Sequence, residues 1–319
     1  MDCRDGFSGR RWVPIIVRRN KRERFAWAFA AVALLLAAAL ALVHFREIRA
    51  DMTAVRFSVY PPENGTLGIS SAISPDGRSL AFVVNSADGR RSLWLRRLDS
   101  LEARPLAGVS GDWPDPFWSP DSRLLGFFSV DKLRKIDVSG GSAQVLSDAR
   151  GSYGGTWNRD GVILIAPMQK PLFRVSADGG TPMPVTTLDQ SRGEYVHSWP
   201  QFLPDGRHFL YLASSNIERD ANDGIYAGAL DSKERKRLVS SHWRAAYASA
   251  PGVRDGYLLF LRDGTLMAQR FDPDRLELSG EAVSVVEKMG VTFPAGAPFS
   301  LFQPTAFWLT RTPAPRYSN

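Results

Sequence analysis

Along most of the chain, short apolar runs alternate with turns rich in Asp and Gly, and the alternation repeats. Ile73-Ser74-Pro75-Asp76-Gly77-Arg78 precedes Leu80–Val84, and Trp118-Ser119-Pro120-Asp121-Ser122-Arg123 precedes Leu124–Phe128. Trp157-Asn158-Arg159-Asp160-Gly161 precedes Val162–Ile165, Phe202-Leu203-Pro204-Asp205-Gly206-Arg207 precedes Phe209–Tyr211, and Val253-Arg254-Asp255-Gly256 precedes Tyr257–Phe260. The turn aspartates are spaced by 45, 39, 45 and 50 residues. Pro fixes φ, Asp bonds the backbone two residues on and Gly accepts φ > 0, so each box predicts a tight turn between two strands. The aspartates are accordingly read as turn-forming groups rather than as a ring of carboxylates. A second strand pair follows each first one, as in Leu93–Leu95 or Leu172–Val175, and a short run such as Ala143–Leu146 or Met183–Val185 closes the unit. Four short strands per period, without an amphipathic helix, predict an all-β propeller of four-stranded blades. Five blades are legible and a sixth is incomplete. A strand near Ala54–Tyr60 is expected to help close the ring.

One segment breaks the pattern. Phe25 to Val43 is nineteen apolar residues without interruption, a helix of about 28 Å that matches a bilayer core. Eight basic residues precede it (Arg4, Arg10, Arg11, Arg18, Arg19, Lys21, Arg22, Arg24), whereas Arg46 and Arg49 after it are balanced by Glu47 and Asp51. The positive-inside rule then puts the N-terminus in the cytoplasm and the remainder outside. The run is long for a signal peptide, and His44–Arg49 make poor cleavage context. The expected organisation is a basic cytoplasmic segment over 1–24, a transmembrane helix over 25–44 in contact with the lipid bilayer, a linker over 45–56, the propeller over 57–300 and an irregular tail over 301–319.

Charge refines this picture. The formal net charge is +7, of which residues 1–44 carry +5. The nearly neutral remainder lacks the basic footprint of a nucleic-acid binder. Cys3 is the only cysteine, so no intrachain disulfide can form. The four histidines, His44, His197, His208 and His242, have no metal-ligand spacing. We expect no metal and no cofactor.

With these residues in view, the Ser-Pro-Asp-Gly-Arg-x-Leu-Ala-Phe box resembles the blade motif of TolB-type, WD-like β-propellers. Lys21-Arg22-Glu23-Arg24 with its apolar run, Trp157–Leu164 and Trp199–Tyr211 are similar to the extracytoplasmic sensor region of bacterial membrane serine/threonine kinases. The resemblance covers about residues 21–290. It implies a ligand- or protein-binding sensor module in the bacterial cytoplasmic membrane; a TolB-type interaction scaffold of the envelope is the alternative. The partner is an unidentified periplasmic protein or small ligand. The Gly-x-Gly-x-x-Gly, His-Arg-Asp and Asp-Phe-Gly motifs of a kinase do not occur, nor does the Gly-x-Ser-x-Gly elbow of propeller-capped peptidases. We therefore expect a non-catalytic fragment whose C-terminal end leaves the blade pattern. Aromatic residues precede the first strand of successive blades: Trp113, Tyr153, Tyr195 with Trp199, and Trp243. Two readings stay open for them, the rim of a binding funnel or packing between blades.

Overall fold

The computed structural model describes residues 59–62, 65–110, 115–217, 220–249 and 255–287, with short pieces at 291–292 and 303–304 and, near the N-terminus, residues 25, 27 and 29–34. It divides into two units, Met1–Asp51 and Met52–Asn319.

In the first unit the described residues are helical, and Phe25, Trp27, Phe29, Val32 and Leu34 are all more than half exposed. Among the described residues no helix is long and apolar enough to cross a membrane. Residues 35–44 of the expected span, and the expected linker at 45–56, lie outside the described residues.

The second unit contains, among the described residues, five four-stranded antiparallel sheets, each built from consecutive strands. Blade 1 holds β1 (Gly65–Ile73), β2 (Ser79–Ser86), β3 (Arg91–Arg97) and β4 (Ala103–Ser110). Blade 2 holds β5 (Phe117–Trp118), β6 (Leu124–Ser129), β7 (Lys132–Asp137) and β8 (Gln144–Asp148). Blade 3 holds β9 (Gly155–Trp157), β10 (Val162–Ile165), β11 (Phe173–Ser176) and β12 (Met183–Pro184). Blade 4 holds β13 (Glu194–Phe202), β14 (His208–Ser215), β15 (Gly224–Ala229) and β16 (Ser232–Ser240). Blade 5 holds β17 (Ala246–Ser249), β18 (Gly256–Arg262), β19 (Thr265–Asp272) and β20 (Glu277–Val286). Beyond it, β21 (Val291–Thr292) pairs with β22 (Gln303–Pro304), so the tail read as irregular contributes one short strand, paired with the end of the segment read as propeller, where a sixth blade would begin.

The period of two in the apolar runs explains how the sheets stack. In each second strand, successive side chains enter opposite seams. Ala81 and Val83 of β2 join Leu125 and Phe127 of β6, while Phe128, the neighbour of Phe127, joins Ile163 and Ile165 of β10. Leu164 of β10 joins Phe209, Tyr211 and Ala213 of β14; Leu210 and Leu212 then join Leu258 and Phe260 of β18. Every second strand is thus apolar on both faces, which is why the sequence reads as unbroken runs rather than half-buried alternation.

The first strands β1, β5, β9 and β13 lie side by side, so they face the common centre of the ring. Hydrogen bonds between neighbouring blades recur at a separation of 46 residues. The Trp118 indole donates to the Ala72 carbonyl (2.9 Å), the Asp76 amide to Ser122 Oγ (3.1 Å), the Phe202 amide to Thr156 Oγ1 (3.1 Å) and the Tyr247 amide to Gln201 Oε1 (2.8 Å).

The predicted turns form, with local variation. Asp76, Asp121 and Asp205 each accept the amide two residues on, at 3.0–3.1 Å. At the third turn the expectation for Asp160 is corrected: Asn158 stands where the first two boxes have Ser, its Oδ1 accepts the Asp160 and Val162 amides, and Asp160 is left exposed. Asp255 pairs with Arg270 across the hairpin instead (3.1 Å). Gly77, Gly161 and Gly206 take φ between 68° and 74°. Ser122 holds the same place at φ 62°, a strained angle for a residue with a Cβ, and its hydroxyl supplies the bond to Asp76. Gly256 lies inside β18 rather than in a turn: a Cβ there would fall 2.5 Å from the Ala248 carbonyl.

Phe117 reports how tightly the blades approach. Its ring fills the space beside two glycines, since a Cβ on Gly126 would lie 2.3 Å from it and one on Gly155 2.4 Å. Gly126 belongs to blade 2 and Gly155 to blade 3, so the ring wedges into the seam from both sides. Gly155→Ala is expected to cost about 1–3 kcal/mol in urea denaturation, with Phe117→Leu in the same chain recovering part of the loss.

Candidate functional site

Each first strand is preceded by a connector from the blade before it; of the aromatic residues singled out above, Tyr153 and Trp243 sit on these connectors, and Tyr195 and Trp199 lie within β13. The Tyr153 amide donates to the Ala166 carbonyl (2.7 Å), and the Trp199 amide donates to the Tyr153 carbonyl (3.0 Å). Backbone bonds therefore bring Tyr153 of blade 3 and Trp199 of blade 4 together. The Tyr153 ring packs on the cluster of Leu164, Phe209, Tyr211 and Tyr226, and its hydroxyl is sealed off without a protein hydrogen-bond partner. Burial, helped by the nearby Tyr195 phenol, pushes the Tyr153 hydroxyl up to about 12. Trp199 is 7% exposed and takes φ 49° at the β13 bulge. It packs with Leu203, Tyr247 and Phe260 toward blade 5. Gly154 is required there, because its φ is 86° and a Cβ would meet the Trp199 backbone at 3.2 Å. Trp243 lies one seam on, half-buried against Leu259, Leu261 and Leu266. Tyr195 is half-buried, and Trp113 lies outside the described residues. Packing between blades accounts for Tyr153 and Trp199.

Below these connectors is a buried ionic cluster that the sequence reading did not single out. Glu194 and His197 lie three residues apart at the start of β13, with side chains 2% and 0% exposed. His197 Nε2 faces Glu194 Oε2 at 3.1 Å, and its Nδ1 lies 2.7 Å from Thr186 Oγ1. Arg235 of β16 donates to Glu194 (2.8 Å) and contacts Asp189 (3.3 Å), while the Asp189 amide donates to Glu194 (2.8 Å). The Arg235 guanidinium sits 4.7 Å over the Tyr226 ring, Tyr226 stacks on Tyr211 at 5.8 Å, and His197 lies 4.8 Å from Tyr211. Blade 3, its connector and both edges of blade 4 are thereby joined.

The electrostatics agree with the geometry. Burial alone would raise the Glu194 carboxyl, but hydrogen bonds from His197, Arg235 and the Asp189 amide outweigh it and hold the group down at about 2. For His197 burial wins over the pull of Glu194, so its pKa falls and the ring is neutral near pH 7. The network then places the proton on Nε2, donating to Glu194, with Nδ1 accepting from the Thr186 hydroxyl. Arg235 is held above its ordinary value, because Glu194 and Tyr211 outweigh its own partial burial. Thr–His–carboxylate order suggests acyl-transfer chemistry. Here the Thr186 oxygen already accepts the Leu172 amide (2.8 Å) and the imidazole is fully enclosed, so the line serves to fasten the seam. The only hint in the sequence was the Glu194-x-x-His197 spacing; Arg235 was hidden in the charged run Lys233–Arg237, which reads as a solvated face.

A second fastening lies on the next connector. Asp223, 6% exposed, accepts the Ser215 amide (2.8 Å) and lies 3.3 Å from His242 Nδ1; burial raises its pKa. Among the described residues no group of His, Cys, Asp and Glu is arranged to hold a metal ion.

Comparison with known proteins places the fold. No protein-family model matches the chain. Over 150 residues it is 28% identical to the uncharacterized peptidase YuxL of Bacillus subtilis, covering 47% of this chain and 22% of that protein. TolB of Acinetobacter baumannii superposes with a TM-score of 0.53 at 12% identity, over 70% of this chain and 55% of that one. A TolB-assigned protein of Agrobacterium tumefaciens gives 0.49 at 17% identity, over 67% and 79%. The chain spans about a fifth of the length of the peptidase and just over half of the Acinetobacter protein. Its described sheets form a β-propeller of the TolB type with five four-stranded blades.

Proposed function

We propose that this chain is a non-catalytic binding module of TolB type, held at the bacterial cytoplasmic membrane by its N-terminal apolar helix, whose connector face takes a protein partner in the envelope. The observation that carries the reading is the convergence of the first strands. It gathers the connectors of successive blades, with Tyr195 and Trp243, at one end of the ring. Recognition surfaces favour such half-buried aromatic side chains. The anchor is supported by the exposed Phe25, Trp27, Phe29, Val32 and Leu34, which suit lipid better than water. The receptor-kinase resemblance extends the proposal to sensing: a ligand on the connector face would be read across the bilayer.

Two measurements test it. The full chain expressed in bacteria should sediment with inner membranes and stay there through alkaline carbonate washing; complete extraction would refute the anchor. Cross-linking in envelope preparations should trap a saturable partner that Tyr195→Ala loses while the melting temperature is kept. Equal trapping by both chains would place recognition elsewhere.

The likeness to the peptidase favours one other reading, a propeller that screens substrates for a hydrolase. Peptide-amide turnover by the purified chain, in proportion to its concentration, would favour that reading over ours.

A further inference from the structure

One hairpin holds an exposed residue in a backbone conformation that does not suit it. β6 and β7 are joined by the two-residue turn Val130-Asp131, at φ 50° and 58°. Such turns favour Asn and Gly, because both central residues sit in the left-handed region. A β-branched side chain crowds its own backbone there. The corresponding turn of blade 5 is Asp263-Gly264, at φ 49° and 75°, which is the kind of pair the geometry favours. Val130 is 72% exposed and joins none of the apolar clusters of the described residues, so burial within the fold does not offset its strain. Strain of this kind collects where a surface has work to do beyond folding.

Val130 has counterparts on the next two blades. The loop between the second and third strands of blade 3 presents Met168, beside Gln169 at φ 58°, and that of blade 4 presents Ile217; both apolar side chains are exposed. In blades 1 and 5 the same place holds Asp88-Gly89-Arg90 and Asp263-Gly264. The antiparallel order of each blade puts these loops at the connector end of the ring, and polar contacts fasten them there. The Ala149 amide donates to the Asp131 carbonyl (2.9 Å), and the His197 amide to the Lys170 carbonyl (3.1 Å). Asp223, in the blade 4 loop, reaches His242 of the next connector (3.3 Å). Three successive blades thus raise an apolar arc at one end. Charges of both signs flank it: Asp131 faces Arg150 (3.9 Å), Lys132 pairs with Asp148, and Asp88 faces Arg90 (3.4 Å).

We propose that the arc of Val130, Met168 and Ile217 is the contact surface for a second copy of this chain, packed connector end to connector end about a two-fold axis. A patch that meets itself needs an apolar centre and a rim with both signs of charge, so that each acid finds a base across the contact. A partner dominated by one sign would be repelled by half of this rim. Association also accounts for the valine: its burial against the second copy offsets the strain of the turn. The inference deepens the protein-binding role proposed above by naming the partner, and rests on it only for the choice of face. Self-association is read on the purified chain and envelope cross-linking at Tyr195, so the failure of either is distinguishable from the failure of the other.

Sedimentation equilibrium of the full chain in density-matched detergent should show a reversible dimer. Val130→Asn combined with Asp131→Gly, and separately Ile217→Ser, should each weaken it about 10-fold or more, because an apolar contact becomes a polar one. Leu101 is the control: it is 90% exposed between β3 and β4, at the opposite end, and Leu101→Ser should leave the dimer unchanged. A wild-type chain that stays monomeric up to about 100 µM would overturn the proposal, and capture of a different envelope protein through the same three residues would then give the arc to that partner. A dimer that the tip variants leave intact would place the association elsewhere, such as the apolar run over 25–43, and would overturn it too. The turn variant carries its own check on folding. Asn followed by Gly suits both positions, so in dilute, monomeric solution its melting temperature should rise by roughly 2–4 °C. A lower melting temperature would show that the hairpin itself needs the valine, and would also overturn the proposal.

Discussion

Replacing Glu194 by alanine is expected to lower the unfolding free energy by about 3–5 kcal/mol, which urea denaturation with a tryptophan signal would read directly. The carboxylate receives Arg235, His197 and the Asp189 amide in a site only 2% exposed. Its removal leaves the half-enclosed Arg235 guanidinium with only the longer Asp189 contact and the Asp189 amide without its acceptor. The double replacement Glu194→Met with Arg235→Met should cost much less than the sum of the single changes, because the orphaned charge disappears together with its partner. An additive outcome would mean that the two groups do not share one network.

The same residues set a dependence on pH. Glu194 and His197 both have native pKa values below their ordinary 4.5 and 6.5. In each case the unfolded chain binds the proton more tightly, so stability falls as the solution is acidified. The His197 contribution is complete above about pH 6.5 and declines below it. The Glu194 contribution, about 2–3 kcal/mol after allowance for coupling, is complete above about pH 4.5 and disappears as pH approaches 2. Denaturation midpoints should therefore drop in two stages, and Glu194→Ala should flatten the second. A midpoint that stays constant from pH 7 to pH 3 would contradict the assignment.

The second large effect is expected at Phe127. This side chain is completely enclosed and carries blade 2 into the seam with Ala81, Val83, Leu93 and Leu95 of blade 1. Phe127→Ala should destabilise the chain by about 3–5 kcal/mol, the lost transfer energy plus the cavity left behind. Phe127→Leu should cost no more than about half of that. Hydrogen exchange should show β2, β3 and β6 losing protection ahead of β14 and β18, since the damage is confined to one seam.

The blades were legible because local chemistry and long-range packing ask for the same residues. Pro, Asp and Gly make the turns, and strands buried on both faces need continuous apolar runs. The Asp160 expectation failed on one residue: Asn158 Oδ1 accepts both the Asp160 and the Val162 amides and so takes the acceptor place read for the aspartate. The fastening around Glu194 was not legible, because its members come from four separate stretches (Thr186, Asp189, Glu194 with His197, and Arg235), and only folding brings them together.

The recurrence of interblade bonds at 46 residues has an evolutionary corollary. A donor in one unit meets an acceptor at the matching place in the next, so the fitting is modular in the way that identical bricks are. Copying or excising one whole unit by unequal recombination would regenerate a compatible joint on both sides. Change of ring size is then a short mutational step for such a gene, whereas a shift of a few residues within a unit would misalign two joints at once.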